Sequence, residues 1–151
     1  MVLLAGGIKF LTKAGGPEAS FITIKGTEYS TSLFEIVLDY KDLSDGDIAP
    51  LKYMTNLEVL NLGGNQISDL TLLAGLTSLK ELYLFDNGRI AALSPLAKLT
   101  KLTRVSLYWN SISDITPLAG LVKLEWLDLT GNPIADWSPV EHVQDVHGRP
   151  Q

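Results

Sequence analysis

The stretch LEVLNLGGNQISDLTLLAGLTS, residues 57–78, decides the fold, because the chain repeats its pattern three more times. The later copies are LKELYLFDNGRIAALSPLAKLTK from Leu79, LTRVSLYWNSISDITPLAGLVK from Leu102 and LEWLDLTGNPIADWSPVEHVQD from Leu124. Successive copies start 22, 23 and 22 residues apart, and the extra residue lies beside Gly88. A period of this length carrying L-x-x-L-x-L-x-x-N-x-I predicts a solenoid of stacked coils.

Each copy reads as a short strand followed by a return leg of tight turns. In the strand, alternate side chains point to opposite faces, so the leucines of L-x-L-x lie on one buried face. The return leg from Ile112 to Leu121 is apolar at every third residue, which suits 3₁₀ turns better than a long α-helix. The expected inward pairs are Leu60 and Leu62, Leu82 and Leu84, Val105 and Leu107, and Leu127 and Leu129.

An asparagine closes the strand half of each copy, where the chain must turn inward and leaves backbone groups unpaired. Its amide both donates and accepts hydrogen bonds, so stacked asparagines can satisfy those groups from coil to coil. The four asparagines are Asn65, Asn87, Asn110 and Asn132.

These features predict an α/β fold, a right-handed leucine-rich-repeat solenoid with a parallel sheet on its concave face and 3₁₀ turns on its convex face. We expect one domain over residues 1–151. Its parts are a β-rich N-terminal meander cap (1–32), a degenerate first repeat (33–56), four repeats (57–143) and a C-terminal tail (144–151).

The degenerate repeat keeps its return leg but has an irregular strand half. At a 22-residue offset, Leu38 and Tyr40 match the inward Leu60 and Leu62, and Leu43 takes the asparagine position. The acidic segment DLSDGDI, residues 42–48, lacks the longer ligand series of a calcium loop, so we interpret it as a surface turn.

The N-terminal residues predict short strands at IKFLT, FITIK and TEYS, with a loop through Gly15-Gly16-Pro17 and a hairpin turn at Lys25-Gly26. The apolar segment from Met1 to Leu11 is too short to span a bilayer. It is either a structural strand or cap, the end of a longer membrane segment, or a signal peptide.

Composition narrows the functional classes. The net charge is −5 and the isoelectric point is near 4.9, which argues against nucleic acid or an anionic membrane as a partner. The sequence has no cysteine, and its two histidines, His142 and His147, lie near the C-terminal end. The sequence contains no phosphate loop, nucleophile elbow or metal-ligand spacing, so we expect neither catalysis nor a cofactor or metal.

The outward strand positions predict a binding surface. Five of these sixteen positions are aromatic, against about one expected from the 8% aromatic content. Because neighbouring strands lie about 4.8 Å apart, we expect the aromatic residues to merge into one patch with a polar rim. The aromatic residues are Tyr83, Phe85, Tyr108, Trp109 and Trp126, and the rim residues are Arg104, Glu81, Asp86 and Asp128. The remaining outward positions are Val59, Asn61, Gly63, Gly64, Ser106, Thr130 and Gly131.

The patch has several possible uses. It could bind a protein or peptide partner, or a glycan; it could equally be a homodimer contact, be covered by the N-terminal meander, or stabilise cross-strand packing without any ligand. A structural or self-associating scaffold without a ligand of its own therefore remains the alternative to a recognition module.

The phrase N-x-I-S-D-(I/L)-x-P-L-A-G-L, present at Asn110–Leu121 and nearly so at Asn65–Leu76, resembles the 22-residue bacterial leucine-rich-repeat subclass. Internalins and the phosphatase-regulator type share it. The resemblance implies protein recognition by the concave face, and it favours a cell-surface or secreted bacterial protein over a cytoplasmic one. The β-rich N-terminal cap departs from the helical cap usual in internalins, and a truncated or designed repeat protein is also compatible with repeats this regular.

Overall fold

The computed structural model describes residues 2–4, 8–11 and 19–150, and within these ranges the strands form two sheets. The first sheet is antiparallel, in the order β1-β2-β3-β4. The second sheet has six parallel strands in chain order, so each coil of the solenoid lies beside the next. The antiparallel strands are β1 (Val2–Leu4), β2 (Ile8–Leu11), β3 (Ala19–Ile24) and β4 (Thr27–Ser30). The parallel strands are β5 (Glu35–Val37), β6 (Val59–Asn61), β7 (Glu81–Tyr83), β8 (Arg104–Ser106), β9 (Trp126–Asp128) and β10 (Asp145–His147).

The return legs are short 3₁₀ helices, as the three-residue apolar spacing predicts. Apolar side chains at that spacing lie on one side of a 3₁₀ turn and enter the interior. Three of the helices are five residues long and two are three residues long. They are Ala49–Tyr53, Thr71–Gly75, Ser94–Lys98, Thr116–Leu118 and Ser138–Val140. The fold is thus the expected leucine-rich-repeat solenoid.

One continuous hydrophobic core runs through the coils. The predicted inward pairs from Leu60 to Leu129 are fully buried, and so are most of the leucines and isoleucines of the return legs. Leu72 and Ile134 are partly buried and pack against the same core. Ile22 and Ile24 of β3 join the same core, so the hairpin β3–β4 closes the first coil. Because a single coil cannot bury its own apolar residues, this shared interior is what stabilises the repeats.

The asparagine ladder is present, and it links each coil to the one before. Asn87 Nδ2 donates to the carbonyl oxygens of Leu62 and Leu84 at 3.1 and 3.0 Å, and Asn87 Oδ1 accepts from Ile67 N at 2.9 Å. Asn110 keeps the two donor bonds, but its buried Oδ1 has no partner among the described residues. The residue inserted beside Gly88 falls in the segment that would supply the missing N–H donor, just before Ile90.

The predicted register of the first repeat was wrong by two residues. Ile36 pairs with Leu60 in the sheet, so Leu38 is equivalent to Leu62 and Leu43 to Ile67. Tyr40 is therefore not an inward residue, and its side chain is 65% exposed. The cause is the acidic turn at residues 44–47, which adds two residues to this coil and makes its period 24 instead of 22.

The carboxylates of that turn make local hydrogen bonds. Asp47 Oδ2 accepts from the backbone N–H and the hydroxyl of Ser44, and these bonds hold the pKa of Asp47 below its ordinary value. Asp45 accepts from Ser68 and from the backbone N–H of Asp69 in the next coil. The acidic turn therefore connects two coils.

The hairpin β3–β4 turns at Lys25-Gly26 as predicted. Both residues have positive φ, 43° and 82°, which is the requirement of a two-residue turn with the twist of a hairpin. The Lys25 ammonium donates to the backbone carbonyl of Asp42 and lies 3.7 Å from its carboxylate, which attaches the hairpin to the first coil. The loop predicted at Gly15-Gly16-Pro17 lies outside the described residues.

At the other end, part of the segment expected to be a tail continues the sheet as β10. Trp137 packs against the core of the last coil, and the Arg149 guanidinium lies 5.9 Å from its ring centre. Within residues 2–4, 8–11 and 19–150 the structure contains no helix with the length and apolar content needed to cross a bilayer.

Candidate functional site

The exposed face of the six-stranded sheet, together with the loop that follows each strand, is named here the strand face. Its side chains form four rows that run from coil to coil, because the strands are in register. The first row contains Glu35, Val59, Glu81, Arg104, Trp126 and Asp145. The second contains Val37, Asn61, Tyr83, Ser106, Asp128 and His147. The third contains Asp39, Gly63, Phe85, Tyr108 and Thr130, and the fourth contains Tyr40, Gly64, Asp86, Trp109 and Gly131.

Every residue of the fourth row has a left-handed backbone. Gly64 and Gly131 adopt φ of 64° and 75°, which costs glycine little. Tyr40, Asp86 and Trp109 adopt φ of 51°, 50° and 54° at the equivalent positions. A bulky side chain is rare in this conformation because its Cβ approaches the following carbonyl oxygen, at a cost of roughly 1–2 kcal/mol. The repeat therefore imposes a strained turn, and in three coils the residue there is not glycine.

Four aromatic residues next to this turn form a continuous set of ring contacts, which we name the aromatic ribbon: Tyr40, Phe85, Tyr108 and Trp109. The rings of Phe85 and Tyr108 stack in parallel with their centres 4.9 Å apart. Tyr40 lies 6.0 Å from Phe85 at one end, and Trp109 meets Tyr108 edge-on at 5.7 Å at the other. Offset or edge-on pairs at such distances stabilise one another by about 1 kcal/mol.

Glycines lie beneath the ribbon. A Cβ atom at Gly63 would lie 2.2 Å from the Phe85 ring, and one at Gly64 the same distance from Tyr40. A Cβ atom at Gly131 would lie 2.3 Å from Cδ1 of Trp109. Because these glycines have no side chain, they leave the space that the aromatic rings of neighbouring coils occupy. Tyr40 and Trp109 still remain 65% and 60% exposed.

A second group of side chains lies nearer the N-terminal ends of the strands, in the first and second rows. The Tyr83 hydroxyl donates to Glu81 Oε2 at 2.6 Å, and burial together with this carboxylate raises the pKa of Tyr83. The Arg104 guanidinium lies 5.1 Å from the Trp126 ring centre, a cation–π distance. His147 lies 5.7 Å from Trp126 on the other side, and its Nε2 is 3.0 Å from Asp145.

The predicted residues therefore share one face but make two separate sets of contacts. Phe85, Tyr108 and Trp109 belong to the aromatic ribbon, whereas Trp126 contacts Arg104 and His147. In the described residues no ring contact joins the two sets, so the predicted aromatic residues do not form one continuous set of ring contacts. The physical reason is their separation along the strand, because positions four residues apart are about 13 Å distant at 3.3 Å per residue.

Acidic side chains lie beside the middle of the ribbon. Tyr108 is partly buried, and this burial is the main cause of its raised pKa; Tyr40 and the carboxylates of Asp128 and Asp86 raise it further. Asp128 accepts a hydrogen bond from the backbone N–H of Thr130 at 3.0 Å, which fixes its side chain. Both aspartates adjoin Tyr108 in the structure, because the Asp86 N–H donates to the Tyr108 carbonyl oxygen and the Leu107 N–H donates to the Asp128 carbonyl oxygen, each at 2.8 Å.

Ser106 departs from the prediction of an accessible outward residue. It lies on the strand face between Tyr83 and Asp128, yet it is only 2% exposed. Its hydroxyl has no hydrogen-bond partner among the described residues. A buried hydroxyl normally finds a hydrogen-bond partner. Ser106 is an exception, and its hydroxyl is an unused polar group in the floor of this face.

Sequence reasoning missed the contribution of the first coil. Tyr40 completes the ribbon, and Phe34 and Val37 are 64% and 52% exposed on the same strand half. The sequence feature that places Tyr40 on this face is the longer period of the first coil, since an offset of 24 residues aligns Tyr40 with Gly64.

The repeats match the family model described as leucine rich repeats (2 copies) at residues 55–98 and 77–120. The matched part of the chain, residues 55–120, therefore consists of leucine-rich repeats. A search of curated protein sequences finds no match.

Solved structures define the type more closely. Internalin C2 from Listeria monocytogenes is 39% identical, with a TM-score of 0.68 over 77% of this chain and 51% of its own length. A leucine-rich-repeat protein from Leptospira interrogans is 27% identical, with a TM-score of 0.58 over 64% of this chain and 26% of its own length. The chain thus spans about half or less of the length of these relatives, and its repeats are similar to those of bacterial internalin-like leucine-rich-repeat proteins. Domains of this type generally bind proteins and are typically non-enzymatic scaffolds.

Proposed function

We propose that this chain is a non-catalytic recognition module that binds a protein or peptide partner on its strand face, through the aromatic ribbon. The observation that carries the proposal is the combination of strain and exposure at Tyr40 and Trp109. Both residues hold a left-handed backbone that glycine holds in other coils, and both leave more than half of their side chain exposed.

Two costs are combined at these positions. The left-handed turn opposes folding by roughly 1–2 kcal/mol for a residue with a side chain. Large exposed rings also add apolar surface that water does not favour. Backbone strain combined with exposed aromatic surface is characteristic of binding sites, where an incoming molecule buries the rings and recovers the apolar free energy.

The remaining predicted residues support the same surface. Glu81, Tyr83, Arg104 and Trp126 lie on the strand face behind the ribbon and give it hydrogen-bonding groups beside apolar area. Such a mixture of aromatic residues and arginine is enriched in protein interfaces. We infer that they form the second part of the contact area.

The test is binding of the chain to protein extracts, with the double variant Tyr40→Gly/Trp109→Gly compared with Val122→Ala. Val122 is 77% exposed and lies beyond the 3₁₀ helix of its coil, away from the strand face, so it controls for loss of an exposed apolar residue. We expect a specifically captured partner to be lost in the double variant and retained in Val122→Ala.

Sedimentation analysis of the same proteins separates the alternative function. A concentration-dependent dimer that Tyr40→Gly/Trp109→Gly abolishes would assign the ribbon to self-association. Equal capture by the wild-type chain and the double variant would contradict the proposed site.

A further inference from the structure

We infer that the partner segment held on the aromatic ribbon is basic, with arginine or lysine side chains that lie against the rings of the ribbon and pair with the carboxylates beside it. This inference rests on the proposed function and specifies the chemistry of the partner. It follows from the charge of the strand face, the geometry of the ribbon and the unused hydroxyl of Ser106.

The strand face is strongly acidic. Its four rows contain six carboxylates and one arginine between residues 35 and 147. That arginine, Arg104, is already placed over Trp126. The carboxylates are those of Glu35, Asp39, Glu81, Asp86, Asp128 and Asp145.

The two carboxylates that act on Tyr108 of the ribbon make no ion pair within the described residues. The ion pairs given by the described residues are Lys25 with Asp42, Lys80 with Glu58, and His147 with Asp145. Asp86 and Asp128 take part in none of these. A cation that approached Tyr108 would therefore meet two unpaired negative charges, and in a partly desolvated interface such a pair is stronger than in water.

The rings favour the same kind of ligand. Their π faces carry negative potential, so a guanidinium or ammonium within about 6 Å of a ring centre is attracted to them. Trp109 and Tyr40 are the accessible ends of the ribbon, and the chain itself already shows this contact once, between Arg104 and Trp126. Guanidinium also stacks on flat rings, which favours arginine over lysine.

Ser106 adds an independent feature. Its buried hydroxyl lies in the floor of the strand face, next to Asp128, without a protein partner in the described part of the chain. A hydroxyl oxygen accepts hydrogen bonds from N–H donors. A long basic side chain would supply that donor once the side chains that cover the hydroxyl move aside on binding.

The experiment is selection of random twelve-residue peptides displayed on phage, with the 151-residue chain as bait and Tyr40→Gly/Trp109→Gly as the counter-selection bait. We expect ribbon-dependent peptides enriched in arginine and lysine. Their affinity should fall about tenfold in Asp86→Asn/Asp128→Asn and should weaken steeply with added salt.

Both substitutions remove a charge and keep the local geometry. Asparagine tolerates the left-handed turn at position 86, and an asparagine at position 128 retains the oxygen that accepts from Thr130. The matched control is Asp114→Asn, which removes the same charge at the start of a 3₁₀ helix and preserves the acceptor for Thr116. It should leave the affinity unchanged.

The outcomes separate the two proposals. Ribbon-dependent peptides that are neutral or acidic, or that bind Asp86→Asn/Asp128→Asn as tightly as the wild-type chain, would overturn the basic partner and leave the recognition site standing. If no selected peptide distinguishes the wild-type chain from Tyr40→Gly/Trp109→Gly, both proposals fail.

Discussion

At the scale of single residues, the fourth row of the strand face determines what the surface can do. The turn after each strand requires a left-handed residue, and Gly64 and Gly131 meet that requirement at little cost. Tyr40 and Trp109 meet it with strain. The same position therefore serves packing in some coils and presents an aromatic side chain in others.

The strain at Trp109 predicts an inverted order of stability for two substitutions. In ordinary positions alanine is more stable than glycine, because glycine loses more backbone entropy on folding. At φ of 54° the alanine Cβ keeps the strain that glycine removes. We expect Trp109→Gly to exceed Trp109→Ala in free energy of unfolding by about 1 kcal/mol, measured by urea denaturation. The usual order, with alanine ahead, would show that the turn is not strained.

The contact between Gly63 and Phe85 predicts a cost for a single methyl group. In Gly63→Ala the new Cβ would lie 2.2 Å from the ring, so Phe85 must move and its stack with Tyr108 must change. Overpacking of this kind costs about 1–3 kcal/mol. The control Gly75→Ala has nothing within 4 Å of the new Cβ and should be neutral. Equal stability of the two variants in thermal denaturation would contradict the placement of the Phe85 ring.

At the scale of the repeat, each element depends on hydrogen bonds that its neighbours complete. The asparagine ladder satisfies the inward turn, and an aspartate two residues before a backbone N–H satisfies the start of three of the 3₁₀ helices. Each kind of hydrogen bond is missing at one place where the sequence departs from the repeat. The Asn110 oxygen has no described partner at the insertion beside Gly88, and Ala92 stands in the place of the aspartate before the third 3₁₀ helix.

The insertion predicts unequal costs for two similar substitutions. Asn87 and Asn110 are buried to a similar degree. Of these two side-chain oxygens, that of Asn87 accepts a backbone hydrogen bond in the described structure and that of Asn110 does not. Asn87→Ala should therefore cost about 1 kcal/mol more than Asn110→Ala, as measured by urea denaturation. Equal losses, or a larger loss at Asn110, would show that its oxygen has a partner after all.

The aspartates at the helix starts predict a dependence of stability on pH. Hydrogen bonds from Thr71, Thr116 and Ser138 hold the pKa of Asp69, Asp114 and Asp136 below the ordinary 3.8. Since the folded-state pKa is depressed, their contribution is complete above pH 4 and is lost as the pH falls through the folded-state values. Replacing all three aspartates with asparagine, which keeps the acceptor but does not titrate, should flatten the fall in melting temperature below pH 4. An unchanged acid profile would contradict these bonds.

A second variant adds the aspartate acceptor to the coil that lacks it. Ala92→Asp should place a carboxylate two residues before the Ser94 N–H, as in the other coils, and raise the melting temperature at pH 7. That gain should decrease as the pH falls through the depressed folded-state pKa of the new carboxylate, because the protonated side chain is a weaker acceptor. A gain that does not change with pH would assign the effect to something other than the charged acceptor.

At the scale of the whole molecule, the repeat period was sufficient to predict the solenoid. The inward leucines, the 3₁₀ return legs and the hairpin turn at Lys25-Gly26 follow from local rules of spacing and backbone conformation. The register of the first coil did not follow, because two residues added in the turn at 44–47 shift the strand half while the return leg keeps its spacing.

The site was less predictable than the fold. The row positions of Tyr83, Tyr108 and Trp126 follow from strand alternation, which places them on the face opposite Val105 and Leu127. Which rings touch depends on side-chain directions and on glycines in neighbouring coils, such as Gly63 and Gly131. Apart from the pair Tyr108 and Trp109, those contacts join residues more than twenty positions apart, and a pattern of outward positions does not contain them.

A partner can bind the aromatic ribbon only if the ribbon is a free surface in solution. The most direct measurement is paramagnetic relaxation by a soluble gadolinium chelate in NMR spectra of the 151-residue chain, recorded at two protein concentrations. We expect strong relaxation of the Trp109 and Tyr40 ring protons at both concentrations, and weak relaxation of the buried Trp137 indole N–H. Protection of Trp109 equal to that of Trp137, or protection that grows with concentration, would show that the ribbon is covered by the chain or by a second copy and is not free to bind a partner.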